Sequence, residues 1–481
     1  VIKERNVQRA PFCEKLRVLI IIGLMKIEGG YIVKEKVQLH KDAFLQELEE
    51  FLKIPSVSAV EAHKDDVRKG AEWVAKSLEN IGMEHVEIIE TDGHPIVYGD
   101  WLHAEGRPTV LIYGHYDVQP PEPIELWETP PFEPVILDGK IFARGATDDK
   151  GQLFLHIKAL ELLKKEHGTL PVNVKFCIEG EEEIASPNLG PFIESNADKL
   201  TADAVLVSDT SFIEKGQPAI CTSLRGALAM EVQVKTANSD LHSGAYGGAV
   251  PNAVHALVRL LDSLHQTDGK IAVEDFYEGV PEPTEQLRKE VAEIPFDEEE
   301  MKRELGLDAL FGESGFTFHE QTGIRPTLEI NGVSGGYQGE GIKTVIPKEA
   351  SGKISCRLVG DQDPQRVYEL IGKHLKKHKP TGAKVTTKQF IQAKPVVLDS
   401  QDPMIQRAAD AYEKIYGVRP LFPKEGGSIP IVEVFARVLE APVVLMGFGL
   451  PTENLHAPNE HFHLDNFEKG IETICEYLQS F

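Results

Sequence analysis

Apolar positions along this chain follow two rhythms. In KDAFLQELEEFLKI (41–54), Phe44, Leu45, Leu48, Phe51 and Leu52 recur at three- and four-residue spacing, which predicts an amphipathic helix closed by Pro55. A second helix is predicted at about 66–81, and GQLFLHIKALELLKKEH (151–167) predicts a third with lysines in its last turns. Between and after these stand short unbroken apolar runs. PTVLIYGHYDV predicts a strand at 109–113, and PVNVKFCIE, DAVLVSD and APVVLMGFG predict three more. Strands this apolar are buried on both faces, and their alternation with helices predicts an α/β fold with a mainly parallel sheet.

The middle of the chain reads differently. GALAMEVQVKT (226–236) predicts a strand, and a helix runs from Pro251 through Leu264. Two strands follow, PTLEINGV and SGKISCRLV, then a helix from Pro364 to His378 with Asp363 as its N-cap, then the strand KVTTKQFI. That order, βαββαβ, is ferredoxin-like, and an acidic, helix-biased insertion occupies about 266–325. The expected organisation is a first α/β part at 34–212, an inserted domain at 213–394, and the rest of the α/β domain at 395–481.

Residues 1–33 stand apart. A basic start and the apolar VLIIIGLM (18–25) resemble the first two regions of a signal peptide, but Lys26 and Glu28 follow at once without a small-residue cleavage site. The run is shorter than the ~20 residues that span a bilayer. EGG (28–30) fits a purine-rich ribosome-binding sequence translated in frame, with translation starting near Met25 or Val33.

Composition narrows the function. The 51 basic and 76 acidic residues give a net charge of −25, which disfavours nucleic acid and anionic membranes as partners. Cys13, Cys177, Cys221, Cys356 and Cys475 form no CxxC pair, and several lie in apolar strands, which points to reduced thiols and the cytoplasm. GYQGEGIKT (336–344) nearly matches a phosphate-binding loop, but Ile342 displaces the lysine by one place and the strand-then-helix context is missing.

Chemistry gathers where the buried strands run out. One exit carries His115 and Asp117, another Glu182 and Glu183, a third Asp209, and the last leads to His456. Asp148 and Asp149 precede the helix at 151. Each alone has a plainer reading: a polar strand cap, a solvated acidic run, or acids complementing a helix dipole. Together they lie at the carboxyl ends of strands, where open α/β sheets bind ligands. Histidine and carboxylates without a nearby cysteine form the donor set of a catalytic zinc site. Once the strand has ended, Glu182 and Glu183 can point apart, one to a metal and the other free to take a proton from water. His115 and Asp117, two apart on one strand face, suit a ligand and the group that orients it.

YGHYDVQP, FARGATDDKG, EGEEE, VLVSDT, LHSGAYGG, NGVSGGYQGEGIKTVIP, EGGSIP and LHAPNE occur in this order. As a set, from about residue 40 to the end, they closely resemble the dinuclear zinc peptidase family that includes carnosine dipeptidase, cytosolic non-specific dipeptidase, succinyl-diaminopimelate desuccinylase and aminoacylase. The dipeptidase branch is the nearest. The resemblance implies two divalent ions, zinc before manganese or cobalt, with His115, Asp148 and Asp209 on one and Asp148, Glu183 and His456 on the other. It implies Glu182 as general base, Asp117 orienting His115, and a cis Asp148–Asp149 peptide, while Glu181 is expected to face solvent. Thr344, Arg357 and Ser428 match positions that hold the substrate, and His242 matches one that reaches across a homodimer interface to the neighbouring subunit's oxyanion. The inserted domain would then be a lid and a dimerisation surface. The expected activity is metal-dependent hydrolysis of dipeptides. The same machinery acting on N-acyl or succinylated amino acids is the alternative, and a non-catalytic metal-binding protein a more distant one.

Overall fold

The computed structural model describes residues 33–427 and 429–481, so the expectations for residues 1–32 and for Ser428 lie outside the described residues. A six-stranded sheet organises the larger part of the chain, in the order Glu84–Ile89, Ile96–Trp101, Asn173–Glu179, Thr109–His115, Ala204–Val207, Val443–Leu445. The last four run parallel to one another. Glu84–Ile89 pairs antiparallel with Ile96–Trp101, which pairs antiparallel with Asn173–Glu179, and neither of the first two is among the strands expected from the sequence.

Alternation along the parallel strands explains why they read as unbroken apolar runs. Val110, Ile112, Val174, Phe176, Ile178, Leu206 and Val444 face one core, with the helices at 33–52, Lys64–Asn80, Lys150–His167, Pro403–Tyr416 and Leu464–Gln479. Leu111, Tyr113, Cys177, Val205, Val207, Val443 and Leu445 face a second core, against Leu189–Ser195 and Pro430–Leu439. With helices on both faces most strand positions are apolar, and the mid-strand Lys175 is accommodated by donating to Lys199 O and Thr201 O. The outermost strand, EHVEII, carries its glutamates on an exposed edge, as edge strands do.

A four-stranded antiparallel sheet lies between these segments in sequence, in the order Thr327–Gly335, Glu349–Leu358, Gly226–Lys235, Lys384–Ala393. The helices Ala253–Asp262 and Pro364–Lys377 cover one face and share its core. Asp363 caps the second helix through Arg366 N, as expected. The first begins two residues later than expected, because the Asn252 side chain accepts from Val254 N and His255 N and so sets its start. The stretch 266–325 holds three short helices capped by Thr284, Asp297 and Thr317. The chain enters and leaves this region through Ser223–Leu224 and Val396–Val397, which pair with each other. Cys177, Cys221, Cys356 and Cys475 are buried and free, and among the described residues no helix is long and apolar enough to cross a membrane.

Candidate active site

The strand Thr109–His115 ends by placing His115 at the floor of a polar cluster. Its backbone N donates to Asp149 Oδ2 at 3.2 Å, so that carboxylate serves the strand end and not a cap on the following helix, where it makes no cap bond. His115 Nδ1 lies 3.1 Å from Asp117 O and 3.4 Å from Asp117 Oδ1. That contact turns Nε2 towards Asp148 Oδ1 at 3.2 Å and Asp209 Oδ2 at 3.9 Å.

After Glu179 the neighbouring strand stops, and Glu182–Ile184 form a single 3-10 turn. Glu182 N and Glu183 N donate to the two oxygens of Asp117, each at 3.2 Å. Asp117 therefore stands against His115 Nδ1 and holds the glutamate turn beside it. Glu181 corrects one expectation: it is 3% exposed, accepting from His94 N at 2.9 Å and from Asn188 Nδ2. The turn that frees its two neighbours points Glu181 inward, where it fastens the adjacent loop. The last parallel strand leads into a loop carrying His456 at φ 58°, with Nε2 2.8 Å from Asp148 Oδ2 and 3.4 Å from Glu183 Oε2.

Two groups of donor atoms result, His115–Asp148–Asp209 and Asp148–Glu183–His456, each with its atoms within 4.8 Å of one another. They share Asp148, whose peptide bond to Asp149 is cis. Ligands arranged tetrahedrally at about 2.0–2.1 Å from a zinc ion lie ~3.3 Å apart, the scale of these separations. His115 Nε2 is fully buried among carboxylates and makes no hydrogen bond, as a nitrogen with a metal to bind does.

Electrostatics favour the same reading. Burial, then repulsion from Asp148, raises Glu183 to about 8, and the same two causes hold Asp209 well above the usual carboxylate range. Burial raises Glu182 to about 6. The bond to Asp148 raises His456 to about 9, while for His115 burial, which lowers it, is outweighed by the Asp117 and Asp148 carboxylates beside it. A cluster that gathers protons to offset crowded carboxylates is one that divalent cations neutralise in their place.

The remaining expected residues lie elsewhere. His242 and Thr344 are neighbours on a small ribbon in which Leu241–His242 pairs with Val345–Ile346. Both are exposed, and Thr344 O accepts from Ser243 N. Arg357 is half-buried on Glu349–Leu358, opposite Thr327 and Ala227. Its charge bears on Arg225, lowered to about 10 by burial and then by Arg357. Arg144, Glu453 and Glu460, all buried, were not singled out from the sequence, although FARGATDDKG and LHAPNE contain two of them; Glu453 accepts from Thr147 Oγ1, and Glu460 accepts from Arg144, Thr147 N and Asp148 N.

The family model described as Peptidase family M20/M25/M40 matches residues 111–480, which includes every residue of both donor groups. The chain belongs to this family. Across this M20 peptidase, 460 residues are 33% identical to the Cys-Gly metallodipeptidase dug1 of Schizosaccharomyces pombe, covering 92% of this chain and 96% of that protein. The human Beta-Ala-His dipeptidase is 29% identical over 463 residues, covering 93% and 91%. Among solved structures, the M20 family metallo-carboxypeptidase Sso-CP2 from Sulfolobus solfataricus superposes with a TM-score of 0.81 at 34% identity, covering 91% of this chain and 98% of that one.

Proposed function

We propose that this M20 peptidase hydrolyses the amide bond of small peptides, dipeptides foremost. The observation that carries the reading is Asp148, shared by two donor groups with the Glu182 carboxyl beside them. His115, Asp148 and Asp209 would hold one divalent ion, and Asp148, Glu183 and His456 the other. Zinc suits this donor set best, with manganese and cobalt as alternatives. When bound, such a pair polarises a carbonyl oxygen and makes water more acidic. Glu182 takes a proton from the attacking water as its oxygen joins the carbonyl carbon, then gives it to the nitrogen as the C–N bond breaks. Asp117 keeps His115 Nδ1 engaged, so that Nε2 would be left to hold the ion.

Relatives acting on Cys-Gly and β-Ala-His support the dipeptide class. Arg357, Thr344 and Ser428 bind the terminal carboxylate and backbone of the substrate. In a homodimer formed through residues 213–394, the partner's copy of His242 stabilises the developing oxyanion, and that region closes as a lid over the α/β domain formed by 34–212 and 395–481. The buried free thiols suit a cytoplasmic protein, and the charge of −25 leaves nucleic acid and membranes outside its partners.

The test is hydrolysis of Cys-Gly, β-Ala-His, a tripeptide and an N-acetyl amino acid by chelator-treated protein, before and after adding zinc or manganese. Metal-dependent cleavage of the dipeptides is expected. Cleavage of the N-acetyl amino acid alone would move the reading to a deacylase. A protein that binds two ions and cleaves nothing would sink the catalytic reading.

A further inference from the structure

Asp148 and His456 belong to loops about 300 residues apart in sequence, and Asp148 to both donor groups. One side chain connects those loops. Glu460 is 0% exposed, and its two oxygens each receive two hydrogen bonds. Oε1 accepts from Thr147 N at 3.0 Å and Asp148 N at 3.1 Å. Oε2 accepts from Arg144 Nη1 at 2.7 Å and Gly145 N at 2.9 Å. Arg144, itself 1% exposed, lies over the Trp127 ring at 5.4 Å and donates to Pro120 O at 3.3 Å, so a third loop is tied in.

We propose that Glu460 and Arg144 act as a positioning pair that sets Asp148 against His456 and thereby tunes metal affinity. Three backbone N–H groups of one loop converge on a single carboxylate borne by the other. With that carboxylate ionised and paired to Arg144, the Asp148 backbone has one favourable direction and its side chain reaches His456 Nε2 at 2.8 Å. An amide at residue 460 presents an NH₂ to donors on one side or the other, so at least two buried N–H groups lose their acceptor. The loop then gives way where Asp148 is attached.

The inference rests on the metal reading above, and the test separates the two. Calorimetric titration of the metal-free full chain with Mn²⁺ alone, and the visible spectrum after titration with Co²⁺ alone, are compared for the parent, Glu460→Gln, Arg144→Lys and Glu313→Gln. Glu313 forms a buried bidentate pair with Arg325, away from the donor groups, and controls for loss of stability alone. Affinity in Glu460→Gln is expected to fall about 10- to 100-fold with an altered cobalt spectrum, with Glu313→Gln unchanged in both. Should Glu460→Gln not fold, Arg144→Lys is expected to show the same pattern. Affinity within threefold of the parent in the folded variant, or an equal loss in Glu313→Gln, overturns the positioning role. A parent chain that binds neither ion overturns the metal reading and the inference with it.

Discussion

Glu182 and Glu183 share a turn and both donate their N–H to Asp117, yet only Glu183 falls within a donor group. If Glu182 carries protons and holds no metal, Glu182→Gln should lower kcat by about 10²- to 10⁴-fold while the bound metal content stays at the parent's value. Loss of one ion per chain in that variant would make Glu182 a ligand instead. A second residue offers a pH test of stability. Ser208 Oγ donates to Met446 O and therefore accepts from His156 Nε2–H at 2.7 Å, while burial lowers His156 to about 3. With the folded pKa below the ordinary 6.5, unfolding takes up a proton as pH falls below that value. The contribution is present above pH 6.5 and is lost towards pH 3, at about 1.4 kcal/mol per pH unit. Between pH 6.5 and 5 the parent should lose about 2 kcal/mol more than His156→Gln, measured by urea unfolding in the presence of chelator. Parallel pH profiles for the two proteins would refute the assignment.

At the scale of elements, the parallel strands were legible because burial on both faces leaves an unbroken apolar run, as at Val110–Tyr113 and Ala204–Val207. Glu84–Ile89 was not, since an edge strand with charges on its open side has no such run, and without it nothing marked Ile96–Trp101 as its partner. The site divides in the same way. Residues at strand exits announced themselves by position, and the sequence motifs paired them with roles. Glu181 and Glu460 did not, because a carboxylate in a loop reads as solvated until the N–H groups folded around it are known. Even the start of the helix Lys150–His167 is fixed by a contact that sequence spacing does not show. A Cβ on Gly151 would stand 1.9 Å from Ala146 O, in the loop that carries Asp148. Gly151→Ala should therefore push helix and loop apart, costing about 1–3 kcal/mol and weakening metal binding as well. Thermal unfolding and Mn²⁺ titration check both effects. A variant that loses stability but binds Mn²⁺ as the parent does would uncouple the helix start from the site.

Across the whole molecule, all five donor side chains, His115, Asp148, Glu183, Asp209 and His456, project from the six-stranded sheet and its loops. The four-stranded sheet has its own core, built from residues such as Leu228, Val232, Leu257, Ile354 and Ile371. Metal binding stabilises whatever must be folded to bind it, by about 2.7 kcal/mol at a free concentration 100-fold above Kd. That stabilisation should reach the larger core and stop at the short crossing strands Ser223–Leu224 and Val396–Val397. Local opening is graded within a structure, so amide exchange can locate the boundary. Comparing chelated with zinc-loaded protein, backbone N–H groups at 109–117, 144–156, 179–186 and 446–461 are expected to slow, together with the helices packed on that sheet. Those at 226–235, 253–262 and 349–377 should exchange at unchanged rates. Equal slowing in 349–377 would mean that the two cores unfold as one unit, and the smaller sheet would then be a fixed wall of the site with no freedom to close over a substrate.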